Sequence, residues 1–595
     1  MVKDGHLIFA RGYGLADAEA QEPVQPDSLF RWESMSKTVT AVAIMRLVED
    51  GKLNLDDPVF TILNQYSPYN GRWGDSRLTG ITVRQLLQHT GGWDRLTSLQ
   101  ADPVDGEGVV KATSATHSSF PPSIDTVIRY MLAQRLDFAP GARFAYSPFG
   151  YELLGRVIEK ISGQPYATFV RQRVLDPLGL DRVQQGSAHL EGRLPGEVKY
   201  YDYPGAPRIH SYVSSAREMQ PRPYGFQDFD LTDSAGAWVG SAIDAAKLVA
   251  MLDGSRPRAP IGPDSFQAML KQSQPQTWID ANSWYGFGLF VWPLGDGLLW
   301  GHGGYNPGAQ TYFYHWPNGA VCAFLFNTTG TDSSPTGATA YVSPAIRDVL
   351  SAITNWPDHD QFPRYYRPRI APSGVINSAS SQAGPLSPGS VITVSGVDLG
   401  GKDAAMEVSL RDAGGAQRQL NLLYGGPDQL ISVLPGEAAA GDATLLVHRE
   451  GWPDAEAALH LAMVAPGLFT TNQSGLAAAS LVRSRPGQQP SWEQVFPWDE
   501  AGHIVAKPIA FVGDDEELVL ILYCTGVRGR RAEQGVAVEI GGLTVGATSA
   551  APQGQYPGLD QVTVRLPRGL AGAGEVSVSV EIEGAMSNTV SLTFQ

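Results

Sequence analysis

A serine and a lysine stand three residues apart at the start of the apolar segment FRWESMSKTVTAVAIMRLVEDG, residues 30–51. Positions i and i+3 share one face of a helix, so Ser34 and Lys37 are expected to face the same cleft. Free N–H groups at a helix N-terminus stabilise an oxyanion, and a neighbouring lysine can accept the proton of a serine hydroxyl. The spacing therefore predicts acyl transfer with Ser34 as nucleophile and Lys37 as base. The structural alternative is a capping serine beside a solvated lysine.

A tyrosine precedes a second helical segment, AYSPFGYELLGRVIEKISG, residues 145–163. Pro148 suits the first position of that helix, which places Tyr146 on the loop entering it. From there its hydroxyl could reach Ser34 and share the acid–base work with Lys37. The structural alternative is a tyrosine packed in a core or an interface.

A histidine and two glycines end an apolar strand in LLWGHGGYNPG, residues 298–308. Glycines there allow a substrate to lie along the strand edge, so His302, Gly303 and Gly304 are predicted to shape the substrate site. The backbone N–H of Tyr305 is a candidate second donor to the oxyanion, beside that of Ser34. Trp32 and Pro148, which flank the nucleophile and the tyrosine, complete the predicted substrate-binding set.

Composition excludes several classes of partner. The chain has 595 residues, and its net charge of −16 argues against binding to nucleic acid or to an anionic membrane. No run approaches the roughly 18 consecutive apolar residues of a membrane span. Cys322 and Cys524 are far apart and form no metal-binding pattern, so both are expected to be buried free thiols. We expect neither a metal nor an organic cofactor, and a small neutral substrate.

Residues 1–354 mix helical and strand patterns. Apolar spacing near 3.6 predicts five helices, and three strand-like runs follow one another near the end of the region. The predicted helices are Ser36–Asp50, Thr82–His89, Ile124–Arg135, Phe149–Ile161 and Ala242–Leu252, and the strands are Trp284–Trp292, Thr311–Trp316 and Ala320–Asn327. This order predicts an α+β domain in which helices flank an antiparallel sheet.

The pattern changes after residue 354. Residues 355–372 are rich in proline and aromatic residues and predict a stiff linker or a strap on the first domain. Beyond them, short alternating strands separated by Gly and Pro predict Ig-like β-sandwich modules, one over 373–470 and one within 471–595 after connecting hairpins. Gly396 and Gly526 lie 130 residues apart in similar contexts, and Pro435 and Pro567 lie 132 apart, which indicates two copies of one module.

The order Ser34-x-x-Lys37, Tyr146-Ser-Pro148, His302-Gly-Gly304 resembles the serine β-lactamase and penicillin-binding-protein superfamily, especially class C β-lactamases and family VIII carboxylesterases. GYGLAD (12–17), TVRQLLQHTGGW (82–93) and YGFGLFVW (285–292) agree with that resemblance. It implies an acylated Ser34, Lys37 and Tyr146 as base and acid, and a substrate site with an oxyanion donor at 302–305. It also implies a helix ahead of the first hairpin, DGHLIFARGYG, that this sequence does not contain.

Two departures from the superfamily favour esters. The second motif is usually Tyr-x-Asn, and Pro148 offers no amide to a substrate. The third motif is usually Lys-Thr-Gly, and His302 cannot present the permanent ammonium that binds a carboxylate. Anionic β-lactams and D-Ala-D-Ala peptide ends should therefore bind less well than short-chain esters.

Two alternatives remain open. One keeps the fold but cleaves β-lactams or D-amino-acid peptides and amides, and the other is a non-catalytic secreted binding protein, suggested by the paired modules. The β modules could contact the catalytic domain or a surface polymer. The opening residues lack the order of a signal peptide, so location is left open, although appended modules of this kind favour an exported ancestor. Oligomeric state is also left open.

Overall fold

The computed structural model divides the chain into two compact units, Met1–Tyr365 and Tyr366–Gln595. It describes residues 1–97, 102–104, 106–256, 259–272, 278–280, 282–330, 345–346, 348–350, 352–400, 406–426, 428–449, 452–472, 475–499, 502–531 and 535–595. Each unit is built around its own sheets, and the first carries all the predicted catalytic residues.

The first unit is organised on an eight-stranded antiparallel sheet with the order β10-β11-β12-β13-β14-β15-β1-β2. These strands are β1 (Val2–Lys3), β2 (His6–Leu7), β10 (Trp278–Asp280), β11 (Ser283–Tyr285), β12 (Phe290–Leu294), β13 (Gly297–Asn306), β14 (Ala309–His315) and β15 (Ala320–Phe326). Short strands form three smaller sheets: β3 (Leu15–Asp17), β4 (Glu22–Pro23), β5 (Phe30–Arg31), β6 (Gln184–Gln185), β7 (Ile209–His210), β8 (Met219–Gln220) and β9 (Trp238–Gly240).

The helices of this unit are α1 (Ser36–Glu49), α2 (Val59–Ile62), α3 (Val83–Leu87), α4 (Glu107–Thr116), α5 (Ile124–Leu132), α6 (Pro148–Ser162), α7 (Tyr166–Val170), α8 (Arg222–Gly225), α9 (Ala242–Leu252) and α10 (Pro263–Leu270). Helix α1 is almost entirely buried, as expected of a helix that is apolar on most of its surface. Five of these helices fall where periodicity predicted them. Helix α3 stops two residues early because His89 adopts a left-handed backbone (φ 56°) that no α-helix continues.

The predicted strand Trp284–Trp292 is two strands joined by a turn. Strand β11 ends at Tyr285 and β12 begins at Phe290, and the N–H of Gly286 bonds the carbonyl of Leu289. Gly288 has φ 70°, and a Cβ there would lie 2.9 Å from the carbonyl oxygen of Lys37. Alternation of apolar residues continued through the turn, so the sequence pattern did not reveal the break.

The segment predicted as a linker, 355–372, is divided between the two units. Residues near Asp360 lie against the first unit: the Leu7 N–H donates to Asp360 at 3.0 Å, and Phe362 is fully buried under the Arg256 guanidinium, 4.3 Å from its ring. From Arg369 the chain is already in β16 (Arg369–Asn377) of the second unit. The boundary therefore falls after Tyr365 instead of 354, because this strap is anchored to the first unit by buried contacts.

The second unit is all β and antiparallel. Its strands are β16, β17 (Val391–Val397), β18 (Met406–Arg411), β19 (Gln417–Gln419), β20 (Asn421–Gly425), β21 (Gln429–Val433), β22 (Gly441–Arg449), β23 (Ala455–Leu461), β24 (Gly467–Leu468), β25 (Ala479–Ser484), β26 (Ser491–Gln494), β27 (Glu517–Thr525), β28 (Val536–Ile540), β29 (Leu543–Pro552), β30 (Asp560–Arg565), β31 (Gly574–Ile582), β32 (Ala585–Met586) and β33 (Val590–Phe594). With the first unit, these sheets confirm the predicted fold class, an α+β domain followed by all-β modules.

The second unit contains two hydrophobic cores, one within residues 375–461 and one within 464–594. The first core lies between two four-stranded sheets, because it includes residues of both. The predicted repeat is visible in the pairing: β17 pairs β21 and β18 pairs β22, just as β27 pairs β30 and β28 pairs β31. Cys322 and Cys524 are buried free thiols, as predicted. Within the described residues, no helix is both long and apolar enough to cross a bilayer.

We expect Phe362→Ala to destabilise the first unit by about 3–5 kcal/mol, because it empties a fully buried aromatic site. Differential scanning calorimetry should show the transition of the first unit at lower temperature and that of the second unit unchanged. Phe9→Ala, at a side chain that is 47% exposed, is the control and should shift neither transition by much. An unshifted first transition in Phe362→Ala would mean that the strap adds nothing to that unit.

Candidate active site

The predicted nucleophile lies on a short 3₁₀ turn, Glu33–Met35, that leads directly into α1. Glu33 adopts a left-handed backbone (φ 49°), which is unfavourable for a residue with a Cβ. Strand β13 packs directly against this turn: a Cβ on Gly304 would collide with the Trp32 carbonyl and the Thr311 hydroxyl and would lie 2.7 Å from the Glu33 Cβ. Glycine at 304 therefore lets the strand approach the nucleophile.

Lys37 is buried in the first turn of α1 and bonds Ser34. Its Nζ donates to Ser34 Oγ at 3.0 Å and to the carbonyl oxygen of Ala235 at 2.9 Å. The Lys37 side chain is 1% exposed. The sequence predicted the first contact from the i, i+3 spacing, but Ala235, 198 residues away, had no sequence signal.

Tyr146 lies beside the lysine, on the loop that enters α6. Helix α6 begins at Pro148 and is capped by Ser147, whose Oγ accepts from the Gly150 N–H, as the sequence predicted. The Tyr146 ring centroid is 5.0 Å from Lys37 Nζ. His89 packs against the same ring, with centroids 4.2 Å apart, and its Nδ1 accepts from the Ser147 N–H at 3.2 Å. Burial, followed by the charge of Lys37, holds the pKa of His89 well below its usual value, so His89 is neutral and fixes this loop.

His302 is a buried neutral side chain on β13. Its Nδ1 is 2.6 Å from the Gly303 carbonyl and its Nε2 is 2.9 Å from the Tyr285 hydroxyl. These partners fit a tautomer in which Nδ1 donates and Nε2 accepts. Burial, followed by the charge of Lys37, lowers the pKa of His302 to about 3. His302 therefore carries no charge at neutral pH, in agreement with the expectation that it cannot replace a lysine ammonium.

These residues share one cavity of about 830 Å³. Its walls include Ser34, Lys37, Tyr146, Pro148, His302, Gly303, Gly304 and Tyr305, which are all but one of the residues predicted from the sequence. Trp32 is the exception. It is 1% exposed, and the structure places it in the core behind the nucleophile instead of on the wall.

The cavity is largely apolar on one side. Aromatic side chains of β12 and β14 stand in a row, with ring centroids about 6 Å apart between successive members: Phe290, Trp292, Tyr314 and Tyr312. On another side, residues 207–235 contribute Ile209, Tyr212, Phe226 and Gln227. The described residues contain no cluster of three or more His, Cys, Asp or Glu side chains placed to hold a metal ion.

Glu33 lies next to Ser34 and was not predicted from the sequence to be part of the site. Glu33 is 1% exposed, borders the cavity, and receives a hydrogen bond from the Asn306 side chain. Burial raises the pKa of Glu33 to about 7, although the charge of Arg31 opposes that shift. Its location directly before Ser34 was the available signal, but the sequence does not show that the side chain is buried.

A model of the beta-lactamase family matches residues 1–365 of the chain. The chain belongs to the beta-lactamase family. The match covers the whole first unit, Met1–Tyr365, and with it the cavity and the three motifs of the site. This assignment confirms the resemblance inferred from those motifs and places the chain among the serine hydrolases of the β-lactamase and penicillin-binding-protein superfamily.

Two bacterial relatives illustrate the range of the family. Esterase EstB of Burkholderia gladioli is 34% identical over 181 residues, which are 30% of this chain and 44% of EstB. A putative fimbrial assembly protein, FimD of Dichelobacter nodosus, is 28% identical over 312 residues, or 51% of this chain and 68% of that protein. The chain thus spans less than half the length of EstB.

Two solved structures also align with part of the chain. A D-stereospecific amidohydrolase from Streptomyces sp. is 26% identical, covers 51% of this chain and 83% of its own, and superposes with a TM-score of 0.39. D-amino acid amidase from Ochrobactrum anthropi is 23% identical over 57% of this chain and 90% of its own, with a TM-score of 0.42.

We expect Gly304→Ala to reduce acyl transfer strongly, because the added methyl group pushes β13 away from the turn that carries Ser34. Steady-state kinetics with an activated ester should show the loss mainly in kcat, and circular dichroism should show an unchanged fold. Gly80→Ala is the control, since a Cβ at Gly80 meets no atom within 4 Å. Full activity in Gly304→Ala would contradict the tight packing of strand and nucleophile.

The buried carboxyl of Glu33 predicts a pH-dependent stability difference. Between pH 4.5 and 7 the folded protein keeps a proton on Glu33 that the unfolded chain loses, so the contribution of Glu33 to stability falls as pH rises. Glu33→Gln does not titrate, and its stability relative to the natural protein should therefore rise by up to about 3 kcal/mol from pH 4.5 to 8. Urea denaturation at several pH values measures this difference. If the difference in stability between Glu33→Gln and the natural protein does not change with pH, Glu33 has the same pKa in the folded and the unfolded protein.

Proposed function

We propose that the first unit hydrolyses short-chain carboxylic esters through an acyl-enzyme on Ser34. The observation that carries the proposal is the 3.0 Å contact between Lys37 Nζ and Ser34 Oγ, within a cavity also bordered by Tyr146. Covalent acyl transfer requires at least a nucleophile and a base within hydrogen-bond distance of each other.

The reaction has two steps. Ser34 Oγ attacks the ester carbonyl carbon while the amine of Lys37 accepts the hydroxyl proton. The alcohol then leaves with a proton from Tyr146, which regains one from Lys37, and an acyl group remains on Ser34. Water attacks that acyl group and gives a proton to the same pair. The pair returns this proton to Ser34 Oγ as the bond to the acyl carbon breaks, which releases the acid and restores the serine.

Two backbone N–H groups are assigned to the oxyanion, those of Ser34 and Tyr305. The first belongs to the 3₁₀ turn and the second to β13, which packs against that turn at Gly304. Donors fixed before the reaction stabilise developing charge without reorganisation, so their rigid placement on a turn and a strand suits this role.

Three features favour esters over amides. His302 is neutral, and Pro148 has no side-chain amide to align a substrate amide. The aromatic row along β12 and β14 offers an apolar surface to acyl or alcohol groups. Partial likeness to an esterase, EstB, adds support. Hydrolysis of β-lactams or D-amino-acid amides is the second candidate, favoured by the family assignment.

A substrate panel tests the proposal. The full chain is assayed with p-nitrophenyl acetate and butyrate, a chromogenic cephalosporin and a D-Ala-D-Ala peptide. We expect the highest kcat/KM for the esters, because they need neither a substrate amide contact nor a cation at position 302. Faster turnover of the cephalosporin would support the second candidate instead.

We expect Ser34→Ala to lower kcat by about a thousandfold or more, and Lys37→Ala to come close to that loss. Ser36→Ala is the matched control: its hydroxyl is two residues away, fully buried, and accepts from the Trp238 N–H at 3.2 Å. That variant should keep activity within about tenfold of the natural protein. Labelling by a fluorophosphonate probe should likewise persist in Ser36→Ala and vanish in Ser34→Ala. Labelling of Ser34→Ala would identify a different nucleophile, and no labelling of the natural protein would favour a non-catalytic binding role.

A further inference from the structure

The active-site cavity carries more positive than negative charge, although the chain as a whole is acidic. Its walls bear the guanidinium cations of Arg95 and Arg222, the amine of Lys37 and a single carboxyl, Glu33. Since burial raises the pKa of Glu33 to about 7, that carboxyl is partly protonated at neutral pH. The chain has a net charge of −16, so this local excess of cations contrasts with the acidic balance of the chain as a whole.

The three basic side chains differ in what they already bind. Lys37 is engaged with Ser34 and Ala235, and Arg222 forms an ion pair with Asp202 at 2.9 Å. Among the described residues, no carboxylate lies within ion-pair distance of Arg95. The carboxylate next to it in sequence, Asp94, is paired with Arg143 at 2.7 Å and accepts from the Leu96 N–H.

Arg95 is close to the catalytic groups. Its guanidinium carbon lies 5.5 Å from the centroid of the Tyr146 ring, and Lys37 Nζ lies 5.0 Å from the same centroid. The side chain is only partly buried and borders the cavity. A guanidinium so placed keeps its planar set of donors available for a carboxylate, which it binds in a bidentate manner.

We propose that Arg95 binds a carboxylate of the substrate, so that esters bearing a carboxylate, such as half-esters of short dicarboxylic acids, are preferred over neutral esters of the same length. This inference rests on the proposed ester hydrolysis. It moves the anion-binding role away from the third motif, where His302 is neutral, to the turn after α3. It also revises the expectation from sequence that anionic substrates bind less well.

The test compares matched esters on the full chain. Mono-p-nitrophenyl glutarate carries a terminal carboxylate and p-nitrophenyl valerate does not, while 4-acetoxybenzoate and its methyl ester place the same difference on the leaving group. The readout is the ratio of kcat/KM for the charged ester to that for the neutral ester. Arg95→Gln should lower this ratio by about ten- to a hundredfold for the pair whose carboxylate reaches Arg95. Arg95→Lys should restore part of it.

The control is Arg72→Gln, an exposed arginine outside the cavity wall, which should leave both ratios unchanged. If Arg72→Gln and Arg95→Gln change the ratio of kcat/KM equally, the effect comes from the net charge of the protein, and the inference is wrong. Equal ratios in the natural protein and Arg95→Gln for both pairs would also overturn it, while leaving ester hydrolysis in place.

If the natural protein hydrolyses no ester, carboxylate binding by Arg95 can still be tested separately from ester hydrolysis. The measurement is a calorimetric titration of Ser34→Ala with mono-p-nitrophenyl glutarate. Binding that is weakened by adding Arg95→Gln would support the carboxylate site although the proposed hydrolysis had failed. Binding of equal strength with and without Arg95 would refute the site.

Discussion

The active site depends on one buried side chain, Lys37, which joins two distant parts of the chain. Its amine bonds Ser34 on its own helical turn and the Ala235 carbonyl 198 residues later. A buried amine is costly unless its donors are satisfied, so these two acceptors are also what allows the lysine to stay in the core. Ser34, Lys37 and the 232–236 segment are therefore positioned together.

A second layer of buried polar groups fixes the segment that carries Ala235. Ser234 donates to Glu152 of α6 at 2.9 Å, and Asp233 pairs with Arg156 of the same helix. Burial, followed by the charge of Asp233, raises the pKa of Glu152, so this carboxyl keeps its proton beside its neighbour. Because α6 also begins at the Tyr146 loop, one helix positions both the tyrosine and the acceptor for the lysine.

The cavity combines an apolar wall with a cationic rim, and this combination sets its chemistry. The aromatic side chains of β12 and β14 form an apolar surface, whereas neutral His302 provides no charge at the strand edge. A substrate charge, where there is one, would be recognised from the turn that carries Arg95. The contact between Ser34 and Lys37 and the guanidinium of Arg95 thus belong to different elements of the fold.

The sequence by itself determined the parts of this protein that depend on local spacing. The i, i+3 relation of Ser34 and Lys37, the proline-initiated helix after Tyr146 and the change to all-β pattern near residue 370 are all short-range signals, and short-range geometry follows from the helix and strand periods. The order of the three motifs along the chain also indicated the family, and the family predicts the sheet that brings the motifs together.

Only the tertiary structure decided which side chains are buried and what they meet. It moved Trp32 from the substrate site into the core, anchored the supposed linker to the first unit through Phe362, and divided one predicted strand at Gly288. It also brought Ala235, Glu33 and Arg95 to the cavity. Ala235 lies in a segment with no distinctive pattern, and the motifs beside Glu33 and Arg95 did not show that these side chains border the cavity. The physical reason is that the charge state of a side chain, the partners of its donors and the distance to its neighbours depend on residues from distant segments. The helix and strand periods of the local sequence do not specify how those segments pack.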